Sequence, residues 1–249
     1  MGKRGGRIMK DMACNIETGL CKTTNDENIQ PEIKVEEFVM DKDLELFYFT
    51  DPICSACYIF EDTLESFLNK YQHEFDYRVI LGGLVPDENS FNDPRNGIFS
   101  SKDVAKHWLE FSEHFNVPIN VSMWENDPMK SSLPPSYAFK VAELEDKAKA
   151  NKFLKSLRIA VFKDGLNIER KDLILKLANE HGLNGKYIVD NMDTLGKKLF
   201  LEEITWMQKL GVRGFPALVI RNKDRYLSTA GIISSDTLEK FYARAKTLA

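Results

Sequence analysis

Two cysteines separated by two residues, Cys54 and Cys57, are the side chains of this sequence best suited to carry chemistry. They follow the apolar run Leu44 to Thr50 and precede a stretch of helical periodicity, so they mark a junction between a strand and a helix. The free amides and positive dipole end of a helix N-terminus stabilise an anion, which lowers the pKa of a thiol placed there. We therefore expect Cys54 to be a nucleophile and Cys57, about one helical turn further on, to resolve its mixed disulfides.

The other two cysteines, Cys14 and Cys21, have six residues between them in a polar N-terminal stretch. Three interpretations remain open: a second thiol pair that relays to Cys54, two free thiols in an arm, or half of a zinc site completed by Cys54 and Cys57. The spacing argues against zinc, because structural zinc sites usually pair cysteines that are two to four residues apart. We expect no metal and no cofactor.

Composition excludes several classes of partner. The 249 residues are 43% hydrophobic and carry a net charge of −4, which argues against nucleic acid as a partner. No run approaches the roughly 18 apolar residues of a membrane helix. The basic start MGKRGGRIMK is followed by polar residues that break any signal-peptide core, so we expect a cytoplasmic protein. Cysteines in a reducing compartment are more often catalytic or redox-sensing than structural.

Periodicity predicts a β-α-β unit, a long helical block and a final β-β-α unit. The predicted elements are strands at 44–50 and 75–81 with a helix between them at about 54–71, helices from about 104 to 210, strands at 216–220 and 225–229, and a helix at 235–246. The corresponding division of the chain is a polar flexible arm at 1–40, a first half-domain at 41–99, a helical insertion at 100–210 and a second half-domain at 211–249. Gly165, Gly182 and Gly211 are expected to end helices.

Pro216 enters one of the predicted strands, where proline is rare except at a strand start or a bend. Taken alone, this position favours a trans proline on an edge strand over a cis proline, because only about one X-Pro bond in twenty is cis in folded proteins.

The stretch FYFTDPICSACYIFE (47–61), followed at a distance by GVRGFPALVI (211–220), resembles the DsbA-like branch of the thioredoxin superfamily. The resemblance implies an α/β fold, a thioredoxin-like sheet with an inserted helical subdomain. It also implies a cis Pro216 in a loop that faces the cysteine pair, with Phe215 and Pro216 binding the substrate backbone. The implied activity is thiol–disulfide exchange with protein or peptide substrates.

The segments 82–86 and 134–142 are similar to cytosolic members of this branch, including the adaptors of Spx degradation (SpxH/YjbH). That similarity implies an alternative function, in which the fold binds a partner protein and the cysteine pair senses redox state or is incidental. A glutathione-dependent isomerase of the kappa-transferase branch is disfavoured by the complete cysteine pair. The chain departs from many relatives at Tyr48, where they carry a buried acid, and Glu61 is a candidate replacement as proton acceptor. The dipeptide Ser55-Ala56 offers no imidazole to stabilise a thiolate.

Overall fold

A four-stranded sheet forms the centre of the molecule. The structure, a computed structural model, describes residues 12–15, 20–23, 42–91 and 97–248. The described strands are β1 Met12–Asn15, β2 Leu20–Thr23, β3 Leu44–Thr50, β4 Asp76–Leu81, β5 Gly214–Phe215, β6 Ala217–Asn222 and β7 Arg225–Ala230. The central sheet has the order β4-β3-β6-β7, in which β4 runs parallel to β3 and the other neighbours are antiparallel. The predicted α/β fold class is confirmed.

Helices cover both faces of this sheet. The described helices are α1 Ser55–Tyr71, α2 Val104–Phe115, α3 Ser122–Asn126, α4 Leu133–Glu145, α5 Lys147–Arg158, α6 Lys171–Glu180, α7 Gly185–Asn191, α8 Lys197–Lys209 and α9 Ser235–Lys246. Short π-helical segments follow α5 and α7, at Ile159–Lys163 and Met192–Gly196. No helix in the described part of the chain is both long and apolar enough to cross a membrane.

The residues of β3 explain why helices pack on either side of it. All seven are buried, and successive side chains of a strand point to opposite faces of a sheet. On one face Phe49 stacks on Trp206 of α8, with ring centroids 5.8 Å apart. On the other face Tyr48 meets Phe60 of α1 at 6.4 Å. The continuous apolar run in the sequence therefore reflects a strand that is buried on both faces.

Helices α2 to α8 all lie between β4 and β5 in the chain, in the order predicted from periodicity. The glycines expected to end helices do so with a left-handed backbone: φ is 66° at Gly165, 69° at Gly182 and 68° at Gly211. The helices α3 and α7 have only five and seven residues, which is too short for either to show a periodic pattern of its own in the sequence. The division into domains stays a prediction.

A second, smaller sheet lies at the end of the central one. It has the order β1-β2-β5 and is antiparallel throughout. Strands β1 and β2 fall within the predicted polar arm, where the sequence shows no strand pattern. The remainder of that arm lies outside the described residues.

Candidate active site

Cys54 is the N-cap residue of α1, as the sequence predicts. Its Sγ accepts a hydrogen bond from the backbone N–H of Cys57 at 3.2 Å, the place that a serine or aspartate oxygen takes in an ordinary cap. Its own carbonyl accepts the first helical hydrogen bond, from the N–H of Tyr58 at 3.0 Å. The two cysteines have their Cα atoms 5.2 Å apart and are joined by a disulfide. The first sulfur thus lies against the free amides of the helix.

The cysteine motif is withdrawn from solvent. Cys54 and Cys57 are both 0% exposed, and Ser55 is 2% exposed. Thiol–disulfide exchange needs a second sulfur to reach the first one, so a site this deeply buried has to open before an external disulfide can react.

Asp51 organises the loop that presents Cys54, and the sequence analysis missed it. Its buried carboxylate accepts hydrogen bonds from the N–H of Ile53 at 3.0 Å, the N–H of Leu84 at 2.7 Å and the hydroxyl of Ser132 at 2.9 Å. Its carbonyl accepts from the N–H of Cys54 at 3.2 Å. Asp51 therefore ties the loop before α1 to the segment after β4 and to the start of α4.

Burial raises the pKa of the Asp51 carboxyl to about 6, against the opposing effect of the hydrogen bonds from Leu84, Ile53 and Ser132. The side chain is therefore poised to gain or lose a proton near neutral pH. In the sequence, the dipeptide Asp51-Pro52 is typical of a turn that follows a strand. A strong signal for burial was missing, because the partners of Asp51 come from segments about 30 and 80 residues further on.

Phe215 and Pro216 lie at the same end of the sheet as Cys54. The bond between them is cis, as the resemblance implies. The next residue, Ala217, is paired with Phe49 near the end of β3. The buried Phe215 ring packs over Gly82, where a Cβ atom would come within 1.7 Å of the ring carbon Cζ. Gly82 in turn donates its N–H to the carbonyl of Thr50 at 2.9 Å, which fixes Phe215 beside the end of β3.

Two other polar residues of the sequence analysis, Glu61 and Tyr48, do not take the place of the missing acid. Glu61 on α1 accepts a hydrogen bond from Nη1 of Arg158 at 3.0 Å, and this buried guanidinium also donates to Oγ1 of Thr50 at 2.5 Å. Glu61 is therefore an ion-pair partner of α5 and a poor proton acceptor for Cys57. Tyr48 is buried, and burial raises the pKa of its hydroxyl, so it does not replace the missing acid.

Cys14 and Cys21 are brought into register by the hairpin of β1 and β2. Cys14 is directly opposite Cys21, and Cys21 is directly opposite Phe215. The structure thus places the backbone of this second pair beside the substrate-binding candidate Phe215. Within the residues that the structure describes, no group of three or more His, Cys, Asp or Glu side chains could hold a metal ion.

Comparison with known proteins places the chain in a family. The family model described as Thioredoxin matches residues 47–240. The ClpXP adapter protein SpxH of Halalkalibacterium halodurans is 31% identical over 183 residues, which are 74% of this chain and 58% of the relative. SpxH of Shouchella clausii is 28% identical over 217 residues, 84% of this chain and 66% of the relative. The chain therefore spans less than two thirds of the length of these curated relatives.

Two solved structures illustrate the fold that this chain shares. A putative protein disulfide isomerase from Nitrosomonas europaea has a TM-score of 0.68 at 18% identity, covering 82% of this chain and 97% of its own. The cytosolic disulfide reductase DsbM of Pseudomonas aeruginosa has a TM-score of 0.64 at 22% identity, covering 82% of this chain and 100% of its own. At these identities the similarity shows the fold alone.

Proposed function

The chain belongs to the thioredoxin family, and from that premise we propose that it is a thiol–disulfide oxidoreductase acting on protein or peptide substrates through Cys54 and Cys57. The observation that carries the proposal is the position of Cys54. Its sulfur caps α1 and accepts the N–H of Cys57 at 3.2 Å, so a thiolate there is stabilised by the helix N-terminus. The disulfide that joins Cys54 to Cys57 is the oxidised form of the proposed centre.

In the reducing direction, the Cys54 thiolate attacks one sulfur of a substrate disulfide. The other substrate sulfur leaves as a thiolate and takes up a proton. Cys57 then attacks Cys54, which releases the second substrate sulfur and closes the Cys54–Cys57 disulfide. Cys57 is suited to this role because it lies one turn away on the same rigid helix, with its Cα 5.2 Å from that of Cys54.

Asp51 acts as a positioning residue in this proposal. Its three hydrogen bonds fix the loop before α1 and hence the direction from which Cys54 enters the helix. Because burial raises the pKa of its carboxyl to about 6, it also gives the loop a group that exchanges a proton near neutral pH.

Phe215 and Pro216 are proposed to bind the substrate backbone, because strand β5 lies at the end of the sheet from which Cys54 emerges. A substrate strand that pairs with β5 at the same edge has to displace β2, which already pairs there. The proposed location is the cytoplasm, in line with the described location of DsbM as a cytosolic disulfide reductase.

A second candidate function is that of an adaptor, which binds a partner protein and delivers it to a protease. The observation in its favour is the similarity to SpxH proteins, which are described as ClpXP adapters. In that case partner binding is independent of the sulfur atoms, and the cysteines sense redox state or are incidental. Two intact cysteines at a helix N-terminus favour the enzyme, because a binding surface needs neither.

The experiment that tests the proposal follows the two sulfurs through one cycle. The reduced protein is treated with oxidised glutathione, and the products are mapped by mass spectrometry. With Cys14 and Cys21 both replaced by serine, so that no hairpin thiol can take part, the chain should end as the Cys54–Cys57 disulfide, whereas adding Cys57→Ser should leave glutathione on Cys54 because no other thiol resolves it. The matched variant Cys54→Ser should gain little glutathione on Cys57. Equal labelling of Cys54 and Cys57 in the two variants would contradict the assigned roles.

A further inference from the structure

The N-terminal hairpin lines up its two cysteines with the proposed substrate strand. Cys14 on β1, Cys21 on β2 and Phe215 on β5 are successive partners in the register, so they form one row across the small sheet. Residues directly opposite each other in an antiparallel pair have Cα atoms about 4.5 to 5.5 Å apart. Disulfides span Cα separations of about 4.4 to 6.8 Å. Cys14 and Cys21 therefore occupy positions at which they can be oxidised to a disulfide without movement of the backbone.

The same row ends at Phe215, beside the end of β3 that leads to Cys54. Strand β5 is followed by Pro216 and then by Ala217, which pairs with Phe49 next to the last residue of β3. Cys54 follows the end of β3 by four residues. Of the two hairpin cysteines, Cys21 is on the strand adjacent to β5. Cys14 lies one strand further out, at a strand spacing of about 4.8 Å.

Two observations limit what else can reach Cys54. Cys54 and Cys57 are both fully buried, so an external disulfide does not meet them in this state. The β5 residues with which a substrate strand would pair, Gly214 and Phe215, are already paired with Lys22 and Cys21. The chain's own hairpin thus occupies the place of a substrate, and it has a cysteine at the register position opposite Phe215.

We propose that Cys14 and Cys21 are a second redox pair, which exchanges electrons with Cys54 and Cys57 inside the same chain. This proposal rests on the proposed function of the Cys54–Cys57 pair and names the first partner of that pair. The hairpin then acts as an internal substrate that connects the buried centre with disulfides outside.

The exchange balances without an external oxidant or reductant. The Cys54 thiolate attacks Cys21 in a Cys14–Cys21 disulfide, and Cys14 leaves as a thiolate that takes up a proton. The Cys57 thiolate then attacks Cys54 in the Cys21–Cys54 mixed disulfide, and Cys21 leaves and is protonated. Two electrons and two protons have passed from the Cys54/Cys57 dithiol to the hairpin. The reverse direction breaks and forms the same bonds.

The register predicts which hairpin cysteine forms the mixed disulfide, and two matched variants test it. Cys14→Ser with Cys57→Ser leaves Cys21 and Cys54, whereas Cys21→Ser with Cys57→Ser leaves Cys14 and Cys54. Both are reduced, treated with oxidised glutathione at low protein concentration and mapped by mass spectrometry. The first variant should form an intramolecular Cys21–Cys54 disulfide at least about tenfold faster than the second forms Cys14–Cys54, because exchange depends steeply on the approach of the sulfurs.

The outcomes separate this inference from the proposed function. If both variants carry glutathione on Cys54 but form no internal disulfide, or form their internal disulfides at equal rates, the exchange between the hairpin and Cys54 is overturned. The proposed oxidoreductase function is then unaffected. No glutathione on Cys54 and no internal disulfide contradicts both. The single variant Cys57→Ser retains both hairpin cysteines and provides a second readout if a double variant folds poorly. It should also form the Cys21–Cys54 disulfide. If this variant forms no such disulfide, the exchange between the hairpin and Cys54 is overturned.

Discussion

Replacing Gly82 by alanine tests whether the Phe215 strand is held in place as the structure shows. The added Cβ would lie 1.7 Å from Cζ of Phe215 and 2.5 Å from both Cε atoms. Ordinary carbon contacts are about 3.5 to 4.0 Å, so the ring and the methyl group must separate by about 2 Å. Gly82 has no left-handed backbone angle, so the cost arises from this overlap rather than from backbone strain.

The expected loss of stability lies near the upper end of the range for overpacked cores. Inserting a methyl group into a well-packed core typically costs about 1 to 3 kcal/mol. Phe215 is 0% exposed and has no route to solvent, so we expect about 3 kcal/mol for Gly82→Ala. For a chain of this size that corresponds to a fall of roughly 6 to 12 °C in the melting temperature. Thermal and urea unfolding of the two proteins measure it.

A double-mutant cycle with Phe215→Leu assigns the effect to one contact. Phe215→Leu alone should cost about 1 to 2 kcal/mol, because it removes buried ring atoms and leaves a cavity. Leucine lacks the ring atoms that the new methyl group meets, so Gly82→Ala should cost much less in the Phe215→Leu background. We expect the double variant to be about 2 to 3 kcal/mol more stable than the sum of the single effects predicts. Additivity within about 0.5 kcal/mol would refute the packing of Phe215 over Gly82.

Three further predictions concern the redox centre and the buried charges. The reduction potential of the Cys54–Cys57 pair should lie at about −180 to −230 mV, because the dipeptide between the cysteines lacks the histidine of DsbA, whose potential is about −120 mV. Equilibration with glutathione buffers measures this potential. A value near −120 mV would contradict the reasoning. Since burial raises the pKa of the Asp51 carboxyl to about 6, the folded state retains a proton between about pH 4 and pH 6 that the unfolded state has released. As the pH rises through this window, the free energy of unfolding of the wild type should therefore fall by up to about 3 kcal/mol relative to that of Asp51→Asn. Urea titrations at several pH values measure this difference. A difference that stays constant between about pH 4 and pH 6 would count against the raised pKa of Asp51. Glu45→Gln should cost about 3 to 5 kcal/mol, because the fully buried carboxylate lies 2.6 Å from the partly buried guanidinium of Arg78 and 2.7 Å from the buried guanidinium of Arg221. Glu239→Gln, in an exposed pair, should cost less than about 1 kcal/mol. Equal costs in urea unfolding would refute the distinction.

The sequence was most informative where local chemistry and local pattern agree. The run that became β3 is mostly apolar because helices cover both faces of the strand, and its length and position could be predicted to the residue. Cys54 could be placed at a helix N-terminus because its neighbours change from a strand pattern to a helical one. The cis bond before Pro216 was predicted through the family resemblance, and the structure confirms it.

The features that escaped prediction depend on partners far away in the chain. Asp51 gains its role from Leu84 and Ser132, which are 33 and 81 residues further on. The short strands β1 and β2 have little strand propensity of their own and exist because β2 pairs with β5 almost 200 residues later. A glycine is needed at position 82 because the ring of Phe215 packs against it. No local sequence pattern around Gly82 indicates this contact.

The central claim is that Cys54 exchanges disulfides with protein substrates, and insulin reduction tests it most directly. With dithiothreitol as electron donor, precipitation of the reduced insulin chains is followed for the wild type, Cys54→Ser and Cys57→Ser at equal concentration. We expect the wild type to accelerate precipitation and Cys54→Ser to abolish the acceleration, because the nucleophile is gone. A wild-type chain no faster than dithiothreitol alone, or a Cys54→Ser variant as active as the wild type, would contradict the claim.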